Sequence, residues 1–243
     1  MKLHIVPVEN ECNATCPCCI TKFKKETGFG KHLEISHLEK IKESDIDEIE
    51  ITGPGEPFLH KRIAEIISLC IGKAPTQVYT NGSLVIQKGA RLRKLMYLCL
   101  SRMHHEDKKN IKLMNVRYKI VDLQKLFVPI KLSVVLMKGG IDNARDLRKY
   151  FSWANDEVMA KKVVVRQMSD FEYPSDIQKR FVSLKQIFDD LSIADYHHDE
   201  QGNIIFRSKK MEVEFETKTC ETEHLVMRAN GKIYKGWTNI EAD

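Results

Sequence analysis

The sequence has no apolar run approaching the roughly 20 residues that cross a bilayer, so a membrane-spanning helix is not expected. Met1 to Val8 is too short and too poor in charge for a secretory signal, and a cytoplasmic protein with no membrane partner is the expectation. Internal repeats, low-complexity tracts, long linkers and any recognisable nucleic-acid module are also lacking. Disorder is not indicated, because hydrophobic residues at 42% and charged residues at 30% are ordinary for a globular chain with a substantial core. A length of 243 residues is compatible with one large unit, as α/β barrels and related sheets often are.

Cysteine is what the chain has in an unusual arrangement. Four of the seven cysteines fall within residues 12 to 19, as Cys12-Asn-Ala-Thr-Cys16-Pro-Cys-Cys19. Scattered at random, they would produce a C-x3-C-x2-C triple with an expectation of roughly 0.006. An odd number, clustered, in a reducing compartment favours metal binding or catalysis over disulfides. The net charge of +5 is modest, and Ser101 to Lys131, with eight Lys/Arg against three Asp/Glu, carries a local basic excess. Apolar residues interrupt it at near-helical spacing, which fits a solvated helix face.

Along the chain, Leu3 to Val8 reads as a strand and the cysteines follow it in a loop. Ser36-His-Leu-Glu39 has the capping-box pattern that opens a helix. Glu48 to Thr52 is a second strand, ending in Gly53-Pro54-Gly55-Glu56-Pro57, a tight loop. Ile63, Ile66, Ile67, Cys70 and Ile71 mark one helix face, with Gly72 where a C-terminal cap belongs. Further strands are predicted at Thr76 to Thr80, Met96 to Leu100, Ile130 to Met137 and Lys162 to Met168, with a basic helix near Gly89 to Lys94 and another from Asn143 to Ala154. Near-continuous apolar strands alternating with helices predict a parallel sheet with right-handed crossovers, whose motif-bearing loops share one rim.

Beyond Met168 the pattern changes. Ile177, Phe181, Leu184, Phe188 and Leu191 mark one amphipathic helix, followed by antiparallel segments and a hairpin around Asn230-Gly231. The expected fold is therefore α/β, a partial (β/α)6 barrel of mainly parallel strands over residues 1–170, with a small antiparallel C-terminal extension, 171–243, packed on it.

Thiolates hold zinc or iron, and the ligand count separates the two. A structural zinc takes four protein ligands, with Cys18 or a nearby histidine as the fourth, whereas three thiolates leave one position of a cubane cluster open for substrate. Adjacent histidines, His104-His105 and His197-His198, cannot point the same way on a helix or strand, so a second metal site is not expected from them. Cys70 and Cys99 read as core, and Tyr234 and Trp237 as packing residues or pocket lining.

Cys12, Cys16 and Cys19 resemble the C-x3-C-x2-C loop of the radical S-adenosylmethionine (SAM) superfamily. Pro54-Gly55-Glu56-Pro57 resembles its Gly-Gly-Glu-Pro segment, with Pro54 for the first glycine. Thr80-Asn81-Gly82 and the strand-end Ser101 and Arg166 stand where further cofactor contacts are placed. The resemblance implies one 4Fe-4S cluster on the three cysteines, with SAM bound by its open iron. Gly55, Glu56, Asn81, Ser101 and Arg166 would bind SAM, with Cys18 at the adenine-side position usually held by an aromatic residue.

By the same resemblance, an external one-electron reductant such as flavodoxin or ferredoxin would drive cleavage of SAM to a 5′-deoxyadenosyl radical. That radical would abstract hydrogen from a small-molecule, nucleoside or peptide substrate, which makes the chain an oxidoreductase. Natural-product or peptide modification is favoured, and Cys220 is a candidate hydrogen donor if the outcome is epimerisation. A glycyl-radical activase and a non-catalytic iron-sulfur or zinc module binding nucleic acid are the alternatives.

Overall fold

Alternation along the strands decides the architecture of the computed structural model, which describes residues 1–23, 27–41, 46–88, 92–168, 173–217, 224–237 and 240–242. The strands are β1 Lys2–Ile5, β2 Glu48–Ile51, β3 Thr76–Thr80, β4 Tyr97–Ser101, β5 Ile130–Val135, β6 Lys162–Arg166, β7 His197–His198, β8 Ile204–Ser208, β9 Met211–Glu216, β10 Leu225–Met227 and β11 Ile233–Lys235. They form one sheet in the order β11-β10-β1-β2-β3-β4-β5-β6-β9-β8-β7. β1 to β6 pair parallel to one another. Antiparallel pairing is confined to the C-terminal strands, β10 with β11 and β7 with β8 with β9. Two of those strands also join the core in parallel, β9 beside β6 and β10 beside β1.

The helices are α1 Ile63–Lys73, α2 Val85–Lys88, α3 Asp107–Met114, α4 Ile120–Gln124, α5 Ala144–Asp156, α6 Ser175–Gln178 and α7 Leu184–Leu191. One face of the sheet, carrying Leu3, Ile51, Val78, Leu98, Leu132, Val163 and Phe215, packs with Ile63, Ile66 and Ile67 of α1 and Leu147 and Tyr150 of α5 in a single apolar core. Each such fully buried aliphatic side chain contributes about 1.5–3 kcal/mol by leaving water. The other face is polar, with Glu48 and Glu50 on β2 and Glu212, Glu214 and Glu216 on β9. These strands alternate because the polar face lines a water-accessible cavity; the near-continuous apolar runs expected hold only in part. Residues of β1 and β9, six positions apart in the order, line that same cavity, so the sheet curls into a partial barrel.

Several local expectations change. Ser36 does not cap a helix; it lies inside a 3-10 turn, Ile35–Lys40, pinned between the buried Leu33 and Ile41. Gly72 is not the cap of α1, which runs on to Lys73. Ala74 breaks out with φ −156° and ψ 163°, because the residue before Pro75 is driven from the helical region. The single helix expected over 177–191 is two, α6 and α7. The Arg180 carbonyl accepts from the Lys138 N–H at 2.9 Å, and the Ser183 hydroxyl caps α7 at the Gln186 N–H. Of the basic helix near 89–94, residues 89–91 lie outside the described residues, and Leu92–Lys94 is a 3-10 turn. The basic excess of residues 101–131 is not one surface: Arg102 and Lys131 are buried.

Candidate active site

The cysteine loop leaves β1 and sits on the C-terminal rim of the sheet. Short contacts shape it: Ala14 N–H donates to Cys12 Sγ at 3.4 Å, Cys19 N–H to the Cys16 carbonyl at 3.3 Å, and Thr15 N–H to the Met114 carbonyl at 2.8 Å. All four cysteines of the loop are free thiols. Cys16 and Cys18 pack on an apolar cluster containing Met103, Met114, Met137, Met168 and Tyr173. Burial, with the neighbouring Cys18, Cys19 and Cys12 adding to it, pushes the Cys16 thiol up to about 12. Burial pushes Cys18 up to about 11 and raises Cys12 as well. The Cys18 carbonyl accepts from the Tyr173 hydroxyl at 3.0 Å, and Tyr173 meets Phe23 edge-on at 5.5 Å.

The loop after β2 is locked to the cysteine loop. A Cβ on Gly55 would lie 2.6 Å from the Val8 carbonyl oxygen and 2.7 Å from that of Glu11, so only glycine fits. The backbone that approaches Gly55 is thus the cysteine loop's own. Glu56 N–H donates to the Glu11 carbonyl at 2.8 Å. Its carboxylate is 3% exposed and accepts three hydrogen bonds: Phe58 N–H at 3.1 Å, the Thr80 hydroxyl at 2.6 Å and Asn81 N–H at 2.7 Å. Burial pushes the Glu56 carboxyl up, and the three donors oppose that.

Asn81 then donates to Asn13 Oδ1 at 2.7 Å and approaches Cys12 Sγ at 3.9 Å. Gly82 completes the turn at φ +84°. One chain of hydrogen bonds therefore joins Gly55-Glu56, Thr80-Asn81 and Cys12.

No protein-family model matches the sequence, and no curated protein matches it. Solved structures do. SuiB of Streptococcus suis bound to S-adenosylmethionine superposes with a TM-score of 0.69 at 15% identity, covering 100% of this chain and 62% of SuiB. SuiB bound to the precursor peptide SuiA gives 0.57 at 18% identity, covering 70% of this chain and 39% of that one. A radical SAM methyltransferase from Sphaerobacter thermophilus gives 0.54 at 17% identity, covering 74% and 59%. The chain has the radical SAM fold. It spans less than two thirds of the length of either protein.

Within this radical SAM fold the remaining sequence-derived residues separate. Ser101 ends β4, registered against Ser133 of β5. Arg166 ends β6 in an ion pair, Nε donating to Glu216 at 2.6 Å and Nη1 to Ser133 Oγ at 2.6 Å. Cys220 lies outside the described residues. Cys70 is buried in the core beneath α1. Cys99 is fully buried on the cavity side of β4, its thiol donating to Gln77 Oε1 at 3.1 Å.

His104 and His105 stack, ring centroids 4.4 Å apart, and His104 is buried, contrary to the expectation that neighbours must diverge. Arg102 causes this by binding both backbone carbonyls, at 2.8 and 3.0 Å, which turns the pair out of strand geometry.

Sequence reasoning missed the cavity inside the curl, about 1210 Å³. Charged and polar side chains from β1 to β9 line it, together with His224 and Trp237. His4 lies against His224, ring centroids 4.3 Å apart and tilted by 37°, with Trp237 edge-on at 5.6 Å, and burial brings His4 down to about 4, so it is neutral at pH 7. Alternation of glutamate with apolar residues in β2 and β9 was the available signal. Among the described residues no helix is long and apolar enough to cross a membrane.

Proposed function

We propose that the protein is a radical SAM enzyme, with Cys12, Cys16 and Cys19 holding one 4Fe-4S cluster and the Gly55, Glu56 and Asn81 segments shaping the adjacent SAM site. One observation carries this reading: the hydrogen-bond chain from Glu56 through Asn81 to Cys12 gathers three separate segments around one thiol loop. The donor set fits the cluster, since three soft thiols lie on one short loop with no disulfide among the described residues. Cluster and SAM, once bound, supply the hydrogen-abstracting 5′-deoxyadenosyl radical. The chain itself binds, orients and excludes water.

The methionine-rich wall behind Cys16 and Cys18 keeps one side of the loop dry. Glu56, saturated by its three donors, anchors the loop and leaves SAM contacts to the Gly55 backbone and Asn81. Cys18 serves the adenine side through its backbone rather than as a ligand. Ser101 and Arg166 border the site from β4 and β6. Residues 1–170 carry this machinery and 171–243 complete the substrate cavity.

The substrate is a small molecule, nucleoside or peptide, and peptide modification is favoured because the fold relative SuiB is known bound to a precursor peptide. Electrons would come from a flavodoxin- or ferredoxin-type reductant in the cytoplasm. The test is anaerobic reconstitution with iron and sulfide, then reduction with dithionite in the presence of SAM. Formation of 5′-deoxyadenosine is expected. Cys12→Ala, Cys16→Ala and Cys19→Ala should each lose the cluster absorbance and Cys18→Ala should keep it. A loaded cluster that yields no 5′-deoxyadenosine rules the reading out in favour of a non-catalytic module.

A further inference from the structure

Inside the cavity, where carboxylates outnumber cations, each lysine and arginine is paired with a carboxylate among the described residues, with one exception. Lys2 Nζ lies 2.9 Å from Glu50, Lys162 Nζ lies 2.8 Å from Glu212 and 2.7 Å from Glu214, and Arg166 Nε lies 2.6 Å from Glu216. Lys131, on β5, lines the same cavity and is 8% exposed, yet no carboxylate among the described residues comes within 4.0 Å of it. Its hydrogen-bond partners among the described residues are neutral acceptors on β3: Tyr79 Oη at 3.0 Å and Gln77 Oε1 at 3.3 Å. An ammonium has three N–H donors, so two are used and one is left.

Tyr79 is placed to help. Its hydroxyl oxygen already accepts from Lys131 at 3.0 Å, and the Arg166 guanidinium is close enough to interact with it. With its oxygen accepting from Lys131, the phenolic proton is the group it has left to offer, and no acceptor for it is found among the described residues. Parallel register sets Tyr79 beside Cys99 and Cys99 beside Lys131, holding the two polar heads in one layer of the wall. A buried ammonium whose hydrogen-bond partners are neutral retains attraction for an incoming anion beyond its longer-range interaction with Glu50, because nearly all of its desolvation has already taken place on folding.

We propose that Lys131 and Tyr79 form a receptor for a carboxylate of the substrate, the Lys131 ammonium and the Tyr79 hydroxyl each donating one hydrogen bond to it. This rests on the radical-enzyme reading only in calling the bound acid a substrate. The site selects substrates that carry a carboxylate, either a small organic acid or the free terminus or acidic side chain of a peptide. It lies on the cavity wall, whereas the cysteine loop sits on the rim.

The test is ligand-observed NMR on the full chain without a cluster, using sodium acetate and N-acetyl-dialanine as probes and acetamide as the neutral control. Both carboxylates should bind the parent protein, with acetamide failing to compete. Lys131→Gln should weaken binding by at least about tenfold, the scale of one charge-assisted hydrogen bond, and Lys131→Arg should retain it. Thermal melts check that each variant is folded. Tighter binding of the dipeptide assigns a peptide acid, and tighter binding of acetate a small one.

Equal affinity in folded Lys131→Gln, competition by acetamide, displacement by SAM, or no binding of either carboxylate to the parent would each overturn the proposal. Because no cluster is needed, this outcome is independent of the 5′-deoxyadenosine assay.

Discussion

Glu56→Gln isolates the anchor of the rim. In the parent, Oε1 accepts from Phe58 N–H and the Thr80 hydroxyl while Oε2 accepts from Asn81 N–H at 2.7 Å, all in a side chain 3% exposed. Glutamine preserves the shape and the two bonds at Oε1, but sets an N–H₂ donor against the Asn81 N–H. One hydrogen bond is lost and a buried donor is left unsatisfied, together roughly 2–4 kcal/mol. For a chain of this size that lowers the midpoint of thermal unfolding by about 4–16 °C.

Because Asn81 reaches toward Cys12, the same variant should also bind less iron on reconstitution. Differential scanning calorimetry on the cluster-free protein measures the first effect and iron analysis the second. A midpoint within about 1 °C of the parent, with full iron loading, would refute the role of Glu56 as the hydrogen-bonding anchor of these loops.

Gly55→Ala forces a methyl group onto the Val8 and Glu11 carbonyls, so the cysteine loop must move; lower stability and iron content are expected, read by the same two assays. Cys12 and Cys16 are held protonated by burial and must lose protons to bind metal, so cobalt affinity should rise with pH by up to about a hundredfold per pH unit from these two ligands, followed by the thiolate charge-transfer absorbance. A pH-independent affinity would contradict it. His4 falls to about 4 in the fold against 6.5 unfolded, through burial first, with His224 and Lys2 adding and Glu50 opposing. The neutral form is favoured, so its contribution is full above pH 6.5 and lost on acidification toward 4, roughly 2–3 kcal/mol by pH 4.5; His4→Gln should flatten that part of the stability profile in chemical denaturation.

The local motifs were legible because their chemistry is local. A C-x3-C-x2-C loop brings three thiols together through its own backbone, and it follows a strand that pairs where expected, Lys2–Ile5 within Leu3 to Val8 but for one residue. β3 was read at Thr76–Thr80 without error, bounded by Pro75 and the Asn81-Gly82 turn. Elements failed where a distant contact outbid the local signal. The heptad-like spacing of Ile177, Leu184 and Leu191 suggested one helix, yet the Lys138 N–H captures the Arg180 carbonyl, and Phe181 is left 43% exposed. The histidine pair misled because a buried arginine, not strand geometry, sets their backbone.

Sequence alone determined the cysteine loop, the order of the parallel strands that follow it, and the Gly-Glu-Pro and Thr-Asn-Gly turns, since spacing, turn chemistry and hydrophobic periodicity act within a few residues. Only the tertiary structure decided what those pieces face. The three hydrogen bonds that saturate Glu56 come from two segments more than twenty residues apart. The cavity, and in it a lysine with no carboxylate partner among the described residues, exist only because parallel register aligns Tyr79, Cys99 and Lys131 and the sheet curls around them. Burial and the pairing of charges depend on the summed positions of strands far apart in the chain, and no short stretch of sequence contains that sum.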